Sequence, residues 1–145
     1  MSDGDPHAPP ATLPVGSTLL FVATFERDEV TAIRHSVAAH AEANGLHGSR
    51  LDDFVLAANE LITNAIRHGG GRGFLRLWHV DGVVHCTVSD TGAGMDSGHL
   101  DDRRPGPDAA GGWGLWLARQ LSDSMLVETG PAGTTVRITA RLREG

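Results

Sequence analysis

The chain has 145 residues, 40% of them hydrophobic, with 18 acidic residues against 12 basic ones and a formal net charge of −6. That composition suits one domain whose core buries roughly two-thirds of the unfolded surface, and with no basic run it argues against direct contact with nucleic acid. Every basic residue is arginine, which excludes chemistry that needs a Schiff-base lysine or a P-loop lysine.

Residues 1–16 hold four of the seven prolines together with Asp, Gly and Ser, without periodicity. They are expected to form a disordered tail, leaving 17–145 as the domain. The run Leu19-Leu20-Phe21-Val22 predicts a short buried strand over 17–24. Val30, Ile33, Val37, Ala38 and Ala41 then recur at helical spacing, so a helix is predicted from Asp28 to Asn44, started by Asp28 and Glu29 and stopped by Asn44-Gly45. A second helix begins near Ser49, with Asp52 and Asp53 in its first turn. Phe54, Ala57, Ala58, Leu61 and Ala65 make its apolar face, and the glycines from Gly69 end it. Strands are predicted for 74–80 and 83–89 around an Asp81-Gly82 turn, and in the second of them Val84, Cys86 and Val88 face the core while His85 and Thr87 face a wetter side. Cys86 is the only cysteine, so it reads as a core thiol rather than half of a disulfide.

Residues 96–111 are polar and rich in Gly and Pro, too long for an idle connection, and suggest a lid or binding loop. Gly111-Gly112-Trp113-Gly114 opens a third helix to about Asp123, and strands at 125–129 and 135–142 close the chain around Gly130-Pro131-Ala132-Gly133. The order β-α-α-β-β-lid-α-β-β predicts an α+β fold: a two-layer α/β sandwich with a mixed, mostly antiparallel sheet and helices on one face. No apolar run approaches the ~18 residues needed to span a bilayer and nothing reads as a signal peptide, so a cytoplasmic protein without membrane contact is expected.

Four groups of residues carry chemistry. Glu60, Asn64 and His68 stand at i, i+4, i+8 and form one polar stripe, which a solvated helix surface would also show. Asp90-Thr91-Gly92-Ala93-Gly94-Met95 delivers a carboxylate at a strand end next to glycines. Such a segment lets a planar ring lie on the backbone while Asp90 accepts a hydrogen bond from an exocyclic amine; an ordinary turn is the other reading. Gly112-x-Gly114 leads into a helix N-terminus, an anion site that needs no lysine, or a hinge for the preceding loop. Gly133-Thr134-Thr135 puts a hydroxyl at the start of the last strand. Mg²⁺ keeps several waters, so one side-chain oxygen, from Asn64, suffices beside phosphate oxygens. Glu60, one turn earlier, is placed to polarise an attacking hydroxyl or water. His68 either touches phosphate or caps the helix end. A metal-hydrolase reading has only the eight scattered histidines behind it; His35 and His40 are five apart, and no pair has zinc spacing.

In this order, Glu60-x3-Asn64-x3-His68-Gly69, Asp90-x-Gly92-x-Gly94, Gly112-x-Gly114-Leu115 and Gly133-Thr134 resemble the Bergerat-fold (GHKL, histidine-kinase-like) ATPase superfamily, from about Leu19 to Leu142. Within it, the compact size, the lack of a dimerisation helix pair with a phosphoacceptor histidine, and Ala58-Asn59-Glu60-Leu61-Ile62-Thr63-Asn64-Ala65 look like the RsbW-like anti-sigma-factor serine/threonine kinases. The resemblance implies ATP and Mg²⁺ as cofactors. By it, Glu60 would be the catalytic base and Asn64 the Mg²⁺ ligand. Asn64, His68, Asp90, Gly92, Gly94, Met95, Gly112, Gly114, Leu115 and Thr134 would form the ATP site, with 95–111 as its lid. Such proteins phosphorylate an anti-sigma antagonist or sequester a sigma factor, and a homodimer is compatible with the family. Here the lid contains Arg103 and Arg104 but no lysine. A nucleotide-binding module that sequesters its partner without phosphotransfer is the alternative.

Overall fold

The computed structural model describes residues 15–92 and 113–142, without the side chain of Trp113. The expectations for the tail before Val15, the lid, Gly94, Met95 and Gly112 lie outside the described residues. The elements follow the predicted order: β1 (Thr18–Glu26), α1 (Val30–Ala43), α2 (Gly48–His68), β2 (Arg72–Val80), β3 (Val83–Asp90), α3 (Trp113–Leu121), β4 (Ser124–Gly130) and β5 (Gly133–Arg141).

The strands form one sheet in the order β1-β2-β3-β5-β4, and each pairing is antiparallel. α3 carries the chain past β5, so β3 and β4 point the same way with β5 between them. Alternation sorts the strands into two faces. Leu75, Leu77, Val84, Cys86, Val88, Val136, Ile138 and Ala140 join Phe54, Leu61, Ile62 and Leu115 of the helices in a single core. Cys86 is fully buried, and burial pushes its thiol up to about 12. The β2–β3 turn has positive φ at both Asp81 and Gly82, as a two-residue type I′ hairpin requires.

α2 is the spine of the helical layer. Its buried residues include Ala57, Ala58 and Ala65, small side chains that let the helix lie close to the sheet, while Phe54, Leu61 and Ile62 fill the space on either side. Truncating Phe54 to Ala would cost about 3–5 kcal/mol. The helix starts at Gly48 after an N-cap at His47, so Asp52 and Asp53 fall beyond its first turn rather than in it. Asp28 and Glu29 lie in a short 3-10 turn before α1, where the Glu26 N–H donates to Glu29 Oε1 at 2.8 Å and closes a capping box. Asn44 ends α1 as expected, its Nδ2 donating to the His40 carbonyl at 2.8 Å.

Two further expectations change. β1 is an edge strand paired only with β2, and it leaves Leu19 and Val22 exposed rather than buried. The face of β3 expected to be wetter is largely buried: Thr87 and Ser89, with their β2 neighbours Arg76 and Trp78, lose nearly all solvent contact.

Candidate functional site

One end of the sheet gathers the glycine-bearing segments. β3 ends at Asp90, β5 starts at Gly133, and Asp90 pairs with Thr134 across the two strands. α2 ends above them at His68. Three glycines make this meeting possible by close approach. A β-carbon on Gly69 would strike the Asp90 side chain and come 2.6 Å from the Ala65 carbonyl oxygen; one on Gly92 would come 2.6 Å from Gly69 Cα; one on Gly133 would strike the Asp90 carbonyl. Side chains at these positions would force the helix end and both strand ends apart.

Asp90 sits almost fully buried on the helix-covered face, and its Oδ1 accepts the Gly92 N–H at 3.0 Å. This contact fixes the carboxylate and the first residues of the following loop together. Thr134 is also buried, with its Oγ1 2.8 Å from Thr129 Oγ1 of β4. Asp90, Thr129, Thr134 and the β4–β5 turn line a cavity of ≈ 490 Å³, of a size that admits a small molecule.

The α2 stripe is graded in exposure. Asn64 is buried at 9% exposure, Glu60 is half-buried and His68 is exposed. Burial raises the Glu60 pKa above the ordinary glutamate value, and the Arg67 charge opposes the rise. On the facing side, Gly114 in the first turn of α3 lies against Glu60: a β-carbon there would come 3.0 Å from Oε1. The first turn of a helix carries backbone N–H groups without partners inside the helix, so the α2–α3 seam sets a carboxylate beside a group of donors. Leu115 is in the core, so only its backbone can serve a ligand.

The structure thus brings Asp90, Gly92 and Thr134 together at the sheet end against Gly69, and separately sets Glu60 against Gly114 at the α2–α3 seam, with Asn64 buried one turn along α2 from Glu60. It leaves His68 at the rim. Thr129 lines the cavity and Gly69 lies against Asp90, two placements the sequence reading did not single out, although the sequence holds a signal for each. Thr129 and Thr134 flank the four-residue Gly130–Gly133 segment, so a hairpin opposes them. Gly69 directly follows the stripe, where it reads as a helix stop and as the last residue of the Glu60-x3-Asn64-x3-His68-Gly69 motif. Among the described residues no three His, Cys, Asp or Glu side chains converge as a metal site. The donors instead suit Mg²⁺ shared with phosphate oxygens: one buried carboxamide at Asn64, and Glu60 a turn away.

Comparison with known proteins gives the same fold. A family model described as histidine kinase-like ATPase domain matches residues 23–140. The crystal structure of the RsbU and RsbW domains of a Mycobacterium tuberculosis protein aligns with a TM-score of 0.60 and 21% identity, over 83% of this chain and 32% of that one. The histidine kinase domain of a blue-light activated histidine kinase from Erythrobacter litoralis aligns with a TM-score of 0.53 and 21% identity, over 83% of this chain and 68% of that one. The chain therefore spans about a third of the first of these proteins. A search of curated proteins found no match. No described helix is long and apolar enough to cross a membrane.

Proposed function

The chain belongs to the histidine kinase-like ATPase domain family, and from that premise we propose that it binds ATP with Mg²⁺ and acts as a regulatory protein serine/threonine kinase of the anti-sigma-factor type, controlling transcription by partner switching. The observation that carries this reading is the Glu60–Gly114 contact: a half-buried carboxyl of raised pKa stands beside the start of α3, one turn from a buried Asn64. Asp90 and Thr134 supply the polar groups for an adenine ring, and Gly92 the bare backbone against which it lies. The N–H groups at the start of α3 hold phosphate oxygens. Asn64 would hold Mg²⁺, which when bound neutralises charge on the phosphates.

In this reading Glu60 takes the proton from a serine or threonine hydroxyl of the partner. The hydroxyl oxygen forms a bond to the γ-phosphorus while the bond from that phosphorus to the bridging oxygen breaks, and ADP leaves. A carboxyl whose pKa lies above the ordinary range is a better base for this task. The partner would be an anti-sigma antagonist, released because a phosphate adds about −1.5 to −2 charge at the docked surface. The alternative, a module that sequesters its partner without phosphotransfer, draws on the same contact, since a carboxyl wedged between two helices also serves packing.

Thermal unfolding with ATP tests the nucleotide site. A rise in Tm that requires Mg²⁺, is mostly lost in Asn64→Ala and is weakened in Asp90→Ala is expected; no rise at millimolar ATP and Mg²⁺ would overturn both readings. Capture of partners from the native cytosol with and without ATP, followed by phosphosite mapping, then separates them. Glu60→Gln keeps nucleotide binding and abolishes phosphotransfer if Glu60 is the base.

A further inference from the structure

α3 lies along α2 and runs the opposite way. At one end of the seam Gly114 stands against Glu60; at the other, Arg50 and Asp53 of α2 border a cavity together with Gln120 and Leu121 of α3. Glu60 is seven residues past Asp53 and Leu121 is seven past Gly114, so both helices cover the same stretch of about 10 Å. A packed helix moves as a rigid element, so whatever fixes the Leu121 end along this axis also fixes the Gly114 end. Polar contacts fix it. Arg50 Nη2 donates to Asp123 Oδ2 at 2.7 Å and to the Arg141 carbonyl at 2.7 Å, and Arg50 Nε donates to that carbonyl at 3.1 Å. The Arg141 N–H donates to the same Asp123 oxygen at 2.6 Å, and the Asp123 N–H to the Thr139 carbonyl at 2.8 Å. Ser122 Oγ donates to the Ala118 carbonyl at 2.7 Å, tying the exit of α3 to its own last turn. One guanidinium fork thus joins α2, the α3–β4 turn and the end of β5. Apolar packing is thinner here: the cavity beside the fork holds ≈ 140 Å³, and Ala118 presents only a methyl group to the core at mid-helix. Side chains lining a void lack contacts on one side, so the charged fork does more than packing to set where α3 lies along α2.

We propose that Arg50 and Asp123 are positioning residues for the phosphate end of the nucleotide site. Their ion pair sets how far along α2 the first turn of α3 stands, and so where its backbone N–H groups lie relative to Glu60 and Asn64. This role rests on the nucleotide reading above. It gives the two ends of the bound nucleotide different supports. Thr134 starts β5 and Arg141 ends it, so the groups proposed for the adenine ring stand roughly 23 Å of strand away from the fork. They are held instead by the glycine contacts at their own end of the sheet, among Gly69, Asp90, Gly92 and Gly133. Breaking the fork should therefore let the start of α3 slip and leave Asp90 and Thr134 in place. A phosphate chain should sense that slip, and a nucleoside without phosphates should not.

The test compares Arg50→Gln with the parent in two measurements on the full-length chain. The first needs no nucleotide: in ¹⁵N spectra the Gly114 and Leu115 amide signals are expected to move while those of Gly92 and Thr134 stay. Shifts confined to the neighbours of positions 50 and 123 would overturn the inference. The second sets titration with ATP and Mg²⁺ beside titration with adenosine. The variant should bind ATP about three- to ten-fold more weakly, on the scale of one anion contact at a helix terminus, and adenosine as tightly as the parent does. Arg50→Lys, which keeps the charge, should recover part of the loss. A general loosening of the fold would weaken both ligands alike. A parent that binds both ligands, with the ratio of their affinities unchanged in Arg50→Gln, would defeat the positioning role alone; a parent that binds neither would defeat the nucleotide reading and this role with it.

Discussion

Gly114 of α3 faces Glu60 of α2 so closely that a β-carbon at position 114 would stand 3.0 Å from Oε1. Two helices distant in sequence thereby meet at one carboxyl oxygen. The contact predicts a separation between stability and activity.

Gly114→Ala removes a flexible residue from a helix, a change that favours the helix by up to about 1 kcal/mol. The new methyl group meets the far end of a glutamate side chain, which can swing aside by a few tenths of an ångström. The folded state should therefore be as stable as before or slightly more so, with Tm unchanged or a few degrees higher. Displacing the proposed base should lower phosphotransfer by about ten-fold or more. Paired calorimetric unfolding and single-turnover transfer measure both; a parallel fall in both would mean that Gly114 serves packing alone.

Gly69→Ala should behave in the opposite way. Here the β-carbon meets the short Asp90 side chain and the Ala65 carbonyl oxygen, which is the acceptor of the Gly69 N–H. Neither can swing away without breaking the helix end or the strand end. A loss of about 2–3 kcal/mol is expected from such overpacking, read as a lower urea midpoint with an unchanged slope. Nucleotide binding should weaken with it, since the substitution moves Asp90.

Gly69 also shows where sequence reading stops. The order and type of all eight main elements follow from periodicity and turn residues, because each depends on near neighbours. Glu60, Asn64 and Asp90 were legible as a pattern, since the stripe and the strand-end carboxylate are written in local spacing. That Gly69 must be bare because Asp90 lies against it is a contact between α2 and β3, and no local rule contains it. Leu115 marks the reverse limit of scale: its motif position implies a ligand contact, and the side chain's place in the core leaves only the backbone to make one. The buried outer face escaped for the same reason, because alternation along β3 tells which residues share a face and says nothing of what lies over it.

A salt-bridged corner at the opposite end of the sheet gives a prediction in pH. Asp123 Oδ2 accepts from Arg50 Nη2 at 2.7 Å and from the Arg141 backbone N–H at 2.6 Å, joining the start of α2 to the end of β5. Partial burial would raise the Asp123 pKa, but the Arg141 N–H and then the Arg50 guanidinium outweigh it and hold the carboxyl below the usual aspartate range. A depressed carboxyl contributes stability above its unfolded pKa and loses it as pH falls through the folded value. Asp123→Asn should therefore cost about 1 kcal/mol at neutral pH, the corner being largely solvated. The gap between variant and parent should close on acidification below the ordinary aspartate pKa; a gap independent of pH would rule out the charge as its source.

Glu60 carries the opposite sign, and this separates it from every ordinary surface glutamate. Burial raises its folded pKa above the unfolded value, with the Arg67 charge only partly offsetting the rise. Between the two values the folded protein binds more protons than the unfolded one, so stability falls as pH increases through that window and is then constant. Glu60→Gln has no charge to desolvate and escapes the fall. The variant should thus gain on the parent as pH rises above the ordinary glutamate range, with no relative gain below it, in unfolding curves taken from pH 4 to 8. Phosphotransfer by the parent should climb over the same window, because only the ionised carboxyl can take the hydroxyl proton. Stability and activity would then move in opposite directions on one titration, the signature of a carboxylate kept at a cost to the fold for its chemistry. A stability difference that is flat in pH would instead make Glu60 an ordinary solvated residue and remove the physical basis for assigning it as the base.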